Sequence, residues 1–389
     1  MLWIGAFVSS VGTWTQDVAL SWLIHERYHD PFYLGLRQFS AEAPLLAFMV
    51  LGGAVADRID RRRILLTSQV IQMLMATALG LLYATDRLSI SAIVLIAFLT
   101  GLAQSQSAPT YQAVLTSIVP AASIPNAVAL NSLQFNLSRA IGPAIAALLL
   151  ARAGTGPCFF VNALSFLAVI VALWRIRIPM PAPVGERKSL GESLKDGFRH
   201  LLAEPTLRRL TLLALLGSFC AFPLITFLPV IADLRLGAGA AGYSGLLAAF
   251  GLGAIVGAIT TAHRGKVEGR GRLLLAAFAG HGLLATAAMA SRMKSLTMIL
   301  LFACGICVVT AFSTLNSLVQ EKAPDALRGR VLSLFGVAFR GGGPLGSLLA
   351  GPLVRTFGAP VVLGGYSMAL VVVALAAYGW SRSSVFRTA

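Results

Sequence analysis

The sequence is a succession of long apolar stretches, and short segments that hold most of the charged residues separate them. A helix that crosses the hydrocarbon core of a bilayer needs about 20 predominantly apolar residues, and most of these stretches are that long. Of the 389 residues, 57% are hydrophobic and 12% are charged, too few polar side chains to cover a water-soluble fold. The sequence therefore predicts an all-α integral membrane protein.

Twelve stretches qualify as transmembrane helices, and one long connection divides them into two sets of six. The predicted spans are 2–24, 33–56, 64–84, 89–112, 127–151, 157–177, 209–233, 241–262, 271–290, 296–319, 329–354 and 360–380. The predicted organisation is an N-terminal half (1–177), a cytoplasmic linker (178–208) and a C-terminal half (209–389). Ser189 and Glu192 form a capping-box pattern before leucines at helical spacing, which predicts an amphipathic linker helix on the membrane surface.

The two halves share a motif, because Arg139-x-x-Gly142-Pro143 recurs as Arg340-x-x-Gly343-Pro344 in the equivalent span. A two-fold repeat of six spans is typical of secondary transporters, whose binding site lies between the halves near the bilayer midplane.

Lys and Arg residues concentrate in the linker, in the loops after spans 2, 8 and 10, and at the C-terminus. Because cytoplasmic loops carry the excess of basic residues, both termini are predicted to be cytoplasmic. The net charge of +16 does not indicate nucleic-acid binding, since the basic residues lie in loops between spans and form no soluble domain.

Several stretches resemble a known family. GGAVADRIDRRR (52–63) is similar to the signature loop of the major facilitator superfamily. The remaining matches resemble its efflux branch, which includes enterobactin and macrolide exporters: GTWTQDVALSW (12–22), NSLQFNLSRAIGP (131–143), SLGESLKDGFR (189–199), PDALRGRVLSL (324–334) and FRGGGPLGSLLAG (339–351).

This resemblance covers almost the whole chain and implies the major facilitator fold, with two pseudo-symmetric six-helix halves in a bacterial inner membrane. It implies secondary active export of a hydrophobic or amphipathic molecule of drug, macrolide or siderophore type, by proton antiport and alternating access. We expect a monomer in the lipid bilayer that needs no cofactor.

The loop after span 2 is a candidate cytoplasmic gate. Gly53 allows a neighbouring helix to approach, and the charges of Asp57, Arg58 and Arg61 could latch two helix ends together in one conformation. The alternative is a solvated turn that only enforces topology.

Ionisable residues inside spans are costly unless paired or hydrated, so they are candidates for function. Asp17 and Glu42 are the candidates for uptake and release of the coupling proton, and Arg37, Arg139 and Arg340 are possible charge partners. The alternative is a permanent structural ion pair.

Gly142-Pro143 and Gly343-Pro344 are candidate bending points, because Pro loosens a helix and Gly permits close packing. A fixed kink is the alternative. Polar and aromatic residues are predicted to line an aromatic, weakly polar cavity, or else to join helices: Trp14, Gln104, Asn131, Asn136, Phe219, Phe312, Asn316 and Gln320.

The sequence contains no phosphate-binding loop, catalytic triad or metal-ligand cluster, which argues against an ATP-driven pump or an enzyme. Gly251-x-Gly253-x-x-x-Gly257 lies inside span 8 with no strand before it, so we interpret it as a helix-packing motif. Two alternatives stay open: a lipid or lysolipid flippase or an importer of the same fold, and a transport-inactive receptor or scaffold.

Overall fold

A computed structural model describes residues 1–51, 60–176, 190–264, 269–324 and 327–381. All regular structure in these ranges is helical. The helices of the first half are α1 (Leu2–Tyr28), α2 (Phe32–Leu51), α3 (Arg61–Ala84), α4 (Ile90–Ser117), α5 (Ile124–Ala153) and α6 (Gly156–Arg175). The rest are α7 (Leu190–Ala203), α8 (Pro205–Ala221), α9 (Pro223–Thr226), α10 (Leu228–Val230), α11 (Gly239–Arg264), α12 (Arg270–Ala290), α13 (Lys294–Lys322), α14 (Arg328–Phe357) and α15 (Ala359–Ser381).

Nine helices of the described ranges are long and apolar enough to cross a membrane. The three other long helices, α1, α2 and α14, lie where the sequence predicts spans 1, 2 and 11. They carry the in-span ionisable residues Asp17, Arg37, Glu42 and Arg340. The predicted linker helix is present as α7, and its predicted cap Ser189 lies outside the described residues.

Span 7 differs from the single helix that the sequence predicts. It is broken after Ala221 into α8, α9 and α10, and a π-helical turn follows at Ile231–Arg235. Pro223 and Pro229 explain the break, because proline has no N–H to donate to the carbonyl of the preceding turn.

The chain divides into two compact units, Met1–Arg27 with Ser40–Leu190, and Tyr28–Phe39 with Gly191–Ala389. In the first unit α3 packs against α4 and α6, and in the second unit the equivalent α12 packs against α13 and α15. The same pairing of neighbours therefore occurs in both units, as expected for an internal repeat.

The start of α2 belongs to the second unit because it packs closely on α14. The backbone at Gly35 meets the carbonyl of Ser347, and Gly351 lies against the backbone of Phe32, with no room for a Cβ at either glycine. The Arg355 guanidinium donates to the Asp30 carboxylate at 3.2 Å near this contact.

Candidate functional site

One face of α1 carries an aromatic and acidic stripe. Trp3, Phe7, Ser10, Trp14 and Asp17 follow one another at spacings of four and three residues, which places them on the same side of a helix. All five are partly exposed, and the rings of Trp3 and Phe7 stack with centroids 5.5 Å apart. Asp17 thus lies one helical turn beyond Trp14 on this stripe.

A second stripe on α5 meets the first at Trp14. Asn131, Phe135 and Arg139 are spaced by four residues, and all are at least partly exposed. The Arg139 guanidinium carbon lies 5.6 Å from the Trp14 ring centroid, within cation–π range, and Phe135 meets the same ring edge-on at 6.3 Å. We call Trp14, Phe135 and Arg139 the α1–α5 surface.

Hydrogen bonds fix α1 and α5 in this register. The Trp3 indole N–H donates to the Leu130 carbonyl at 2.8 Å, and the Gln134 amide donates to the Ser10 hydroxyl at 2.7 Å. The Thr15 hydroxyl donates to the Gly142 carbonyl at 3.2 Å. Since these contacts join α1 to α5 at three levels, the α1–α5 surface is built on two helices in a defined register.

Gly142 is required for this pairing. A Cβ there would collide with the Trp14 side chain and crowd the Val11 carbonyl. Pro143 follows and is buried. The Gly-Pro motif therefore lies directly behind Trp14.

The opposite face of α1 is held by a buried polar group on α6. Asn162 is 2% exposed and donates to the Gln16 side-chain carbonyl at 2.9 Å. Gly12 lies against Asn162 and Ser165 with no room for a Cβ. Because Gln16 precedes Asp17, this contact fixes the helix turn that carries the candidate proton site.

Replacing Asn162 by alanine is expected to lower the free energy of unfolding by about 1 kcal/mol, because Gln16 loses a buried partner inside a helix pair. Thermal unfolding of the purified protein would measure this change. Asn136→Ala is the matched control, since that side chain donates only within its own helix, to the Ser132 carbonyl at 2.8 Å. Equal destabilisation by both variants would contradict the assigned role of Asn162.

In the second unit, the equivalent Gly-Pro motif also packs tightly. A Cβ at Gly342 or Gly346 would collide with the backbone of α8, and one at Gly343 would collide with the Phe222 ring. The hydroxyls of Thr226 and Ser347 are 2.9 Å apart. Gly343 and Pro344 are both buried. Because Phe222 lies between α8 and α9, this bending candidate lies beside the break in span 7.

Phe312 lies at the centre of an aromatic cluster. Its ring centroid lies 4.8 Å from that of Phe339, 5.3 Å from that of Phe278 and 5.4 Å from that of Phe222. Phe219 lies apart from these rings and stacks on Tyr366 at 5.4 Å. Phe219 and Phe312 therefore both pack against other rings, and both stay partly exposed.

The remaining predicted polar and charged residues that the structure describes are all at least partly exposed. Gln104, Asn316, Gln320 and Arg340 are exposed, and Arg37, Glu42, Asn131 and Asn136 are partly exposed. Gly53, Asp57 and Arg58 lie outside the described residues.

Of the predicted gate residues, the structure describes Arg61, the first residue of α3. Its neighbour Arg62 has a contact that the sequence did not indicate. The Arg62 guanidinium donates to the Trp174 carbonyl at 2.6 Å and so joins the start of α3 to the end of α6.

Sequence reasoning missed Trp3, Phe7, Phe135 and Asn162. The helical spacing of the three aromatic residues relative to Trp14 and Arg139 could have indicated them. Nothing in the sequence marks Asn162 as the partner of Gln16. Among the residues that the structure describes, no group of three or more His, Cys, Asp or Glu side chains could hold a metal ion.

Comparisons with known proteins agree with this architecture. The family model of the transmembrane secretion effector matches residues 1–384. The staphyloferrin A transporter of Staphylococcus aureus (strain NCTC 8325 / PS 47) is 27% identical, with 91% of this chain and 88% of the relative covered. The multidrug efflux pump Tap of Mycolicibacterium fortuitum is 24% identical, with 97% and 94% covered, and the enterobactin exporter EntS of Shigella boydii serotype 18 (strain CDC 3083-94 / BS512) is 26% identical, with 90% and 84% covered.

Solved structures share the fold at low sequence identity. A mutant of the nucleoside transporter NupG has a TM-score of 0.81 at 14% identity, covering 96% of this chain and 98% of that chain. An inward-facing, occupied bacterial homolog of the human lysosomal transporter Spinster has a TM-score of 0.73 at 16% identity, covering 100% and 97%. The chain is an integral membrane protein that belongs to the transmembrane secretion effector family of major facilitator transporters.

Proposed function

We propose that this protein exports a hydrophobic or amphipathic small molecule, of drug, macrolide or siderophore type, in exchange for protons. It acts by alternating access as a monomer in the bacterial inner membrane, with both termini cytoplasmic, and it catalyses no chemical reaction. Its relatives support export, since they include a staphyloferrin A transporter, a multidrug efflux pump and an enterobactin exporter.

The observation that carries the proposal is the α1–α5 surface with Asp17 one turn away. Phe135 is 52% exposed, and Trp14 and Arg139 are partly exposed, so two aromatic rings and a guanidinium group lie together on one side of the helix pair. Such a surface suits molecules with planar apolar parts and a few polar groups. A receptor or scaffold would not need an ionisable residue such as Asp17 beside this surface.

In this proposal, Asp17 couples the movement of protons to the movement of substrate. A substrate seated against Trp14 excludes water from the next turn of α1 and presents its polar groups to the carboxylate. If the substrate favours the ionised carboxylate, substrate binding releases a proton, and proton uptake from the other side favours substrate release. Glu42 on α2 is the second candidate for this step.

The Gly-Pro motifs provide the movement in this proposal. Gly142 contacts Trp14, and Gly343 contacts Phe222, so bending at either motif changes the packing beside an aromatic side chain. Gly53, Asp57, Arg58 and Arg61 would close the cytoplasmic side.

Trp14→Leu is expected to raise the KM for the exported compound about tenfold, because an aromatic contact contributes about 0.5–1.5 kcal/mol beyond its buried area. Trp14→Phe should restore part of the affinity. The measurement is uptake into energised inverted membrane vesicles, after a panel of macrolides, dyes, siderophores and lysolipids has identified a substrate.

Trp174→Leu is the matched control, since Trp174 is 70% exposed at the end of α6, the helix that contacts the face of α1 opposite Trp14. An equal rise in KM for both leucine variants would contradict a binding role for Trp14. Movement of lysolipids without any proton movement would favour the flippase alternative.

A further inference from the structure

A narrow apolar groove lies between α8 and α15, in the second unit. Its volume is about 100 Å³, and its walls are formed by Leu212, Leu213, Leu216, Val373, Ala376 and Ala377. Arg209 also lines it, one helical turn nearer to the start of α8 than the leucines. The groove therefore combines a hydrocarbon lining with one cationic side chain.

The surface around the groove is apolar and faces away from the interior of the unit. Leu212 is 42% exposed, Val372 is 60% exposed and Leu375 is 62% exposed. Tyr378, at 45%, follows them towards the end of α15, and tyrosines are enriched where a helix leaves the hydrocarbon region. In a membrane-spanning protein, lipid chains cover such a surface.

The charged end of the groove is basic and close to the membrane surface. Arg208 is exposed, and its guanidinium donates to the Leu202 carbonyl at 3.0 Å, which joins the last turn of α7 to α8. The nearby Glu204 caps α8, where it accepts from the Thr206 N–H at 3.4 Å.

The linker helix α7 presents apolar side chains next to this end. Phe198 is 53% exposed and Leu202 is 44% exposed, one turn apart on the same face, and Arg199 beside them is also exposed. Exposed apolar and basic residues on one amphipathic helix are typical of a helix that lies at the lipid–water interface. The headgroup region is therefore expected at the level of Arg208 and Arg209.

We propose that the groove between α8 and α15 binds one acyl chain of an anionic phospholipid and that Arg209 binds its phosphate group. Charge complementarity selects this occupant over a lipid with no net charge, because the negative charge of an anionic headgroup is not offset by a cation of its own and is attracted to Arg209, while the rest of the lining accepts hydrocarbon. The bound lipid would secure the start of α8 and the linker helix to the bilayer. This proposal is independent of the exported substrate.

The test is thermal unfolding of the full chain in detergent, titrated with phosphatidylglycerol or with phosphatidylcholine that carries the same acyl chains. We expect phosphatidylglycerol to raise the unfolding temperature at lower concentration. Arg209→Gln should raise the half-saturating concentration of phosphatidylglycerol about fivefold. It should change that of phosphatidylcholine less, because the choline cation offsets the charge of the phosphate. Arg292→Gln, which removes an exposed charge in the connection between α12 and α13, should change neither.

Ala376→Phe tests the groove itself. Ala376 is exposed in the groove wall, so a larger side chain fills the groove without entering the core, and the response to both lipids should weaken. Ala376→Leu serves the same purpose if the first variant does not fold. An unchanged phosphatidylglycerol response in Arg209→Gln, or in the variant that fills the groove, would overturn the proposal. Lost export in the variant that fills the groove, with unchanged responses to both lipids, would also overturn the proposal. The groove would then be a path for the exported substrate.

Discussion

Asp17→Asn is expected to reduce proton-driven uptake by inverted vesicles to the level of vesicles without the protein. The amide has nearly the same shape as the carboxylate but cannot take up and release a proton. Exchange of labelled for unlabelled substrate across the membrane needs no net proton movement, so it should continue at a rate close to that of the parent. Comparison of the two transport modes in the same vesicles measures the effect.

Two further carboxyl variants make this experiment specific. Asp86→Asn removes an exposed carboxylate whose ion pair with Arg27, at 2.9 Å, is worth little, so proton-driven uptake should stay unchanged. Glu42→Gln examines the second candidate. Normal proton-driven uptake in Asp17→Asn would remove Asp17 from the coupling step, and a selective loss in Glu42→Gln would move that role to Glu42.

Gly253→Leu is expected to prevent accumulation of folded protein, with a cost of at least about 3 kcal/mol, the upper end of overpacking penalties. A Cβ at Gly253 would collide with the Phe302 carbonyl, and one at Gly305 with the Phe250 carbonyl. The backbones of α11 and α13 are therefore in direct contact, and no side-chain rearrangement can make room. The fraction of monodisperse protein after detergent extraction measures the loss.

Gly245→Leu is the matched control on the same helix. The nearest atom to a Cβ at Gly245 is the Met298 methyl carbon at 3.7 Å, an ordinary contact with a flexible side chain. This variant should accumulate close to the parent level. Equal yields of the two leucine variants would show that the contact between α11 and α13 does not govern folding.

Features that depend on local sequence could be predicted well. Apolar length located the long helices, and the leucine spacing after Ser189 located the amphipathic helix α7. The prediction that the glycines of span 8 serve helix packing is confirmed at Gly253 and Gly257, each of which lies against a carbonyl of α13. In an apolar helix, glycines at this spacing are typical of a face on which another helix packs closely.

Contacts between distant helices could not be predicted. Because lipid tails are as apolar as a helix interface, hydrophobicity does not show which face of a span packs against protein. The contacts of Phe312 with three other rings and the hydrogen bond between Asn162 and Gln16 depend on that choice of face. Pro223 and Pro229 explain the break in span 7, but a proline does not break every span, since α5 continues through Pro143. The positions of prolines alone therefore do not predict which span is broken.

The candidate site was predicted in part. Because an ionisable side chain inside a membrane is costly, Asp17 and Arg139 could be predicted as functional candidates. Trp14 was predicted to line the cavity. The structure brings Trp14 and Arg139 together at 5.6 Å and adds Phe135. Their meeting depends on the register between α1 and α5, which the contacts of Ser10, Thr15 and Gly142 fix.

Proton movement in energised inverted vesicles is the most direct test of proton-coupled export. One compound class from the panel should collapse the pH gradient in vesicles that contain the parent protein and should have no effect in vesicles that contain the Asp17→Asn variant. Substrate movement at the same rate with and without a pH gradient, and with no change in that gradient, would contradict proton-coupled export.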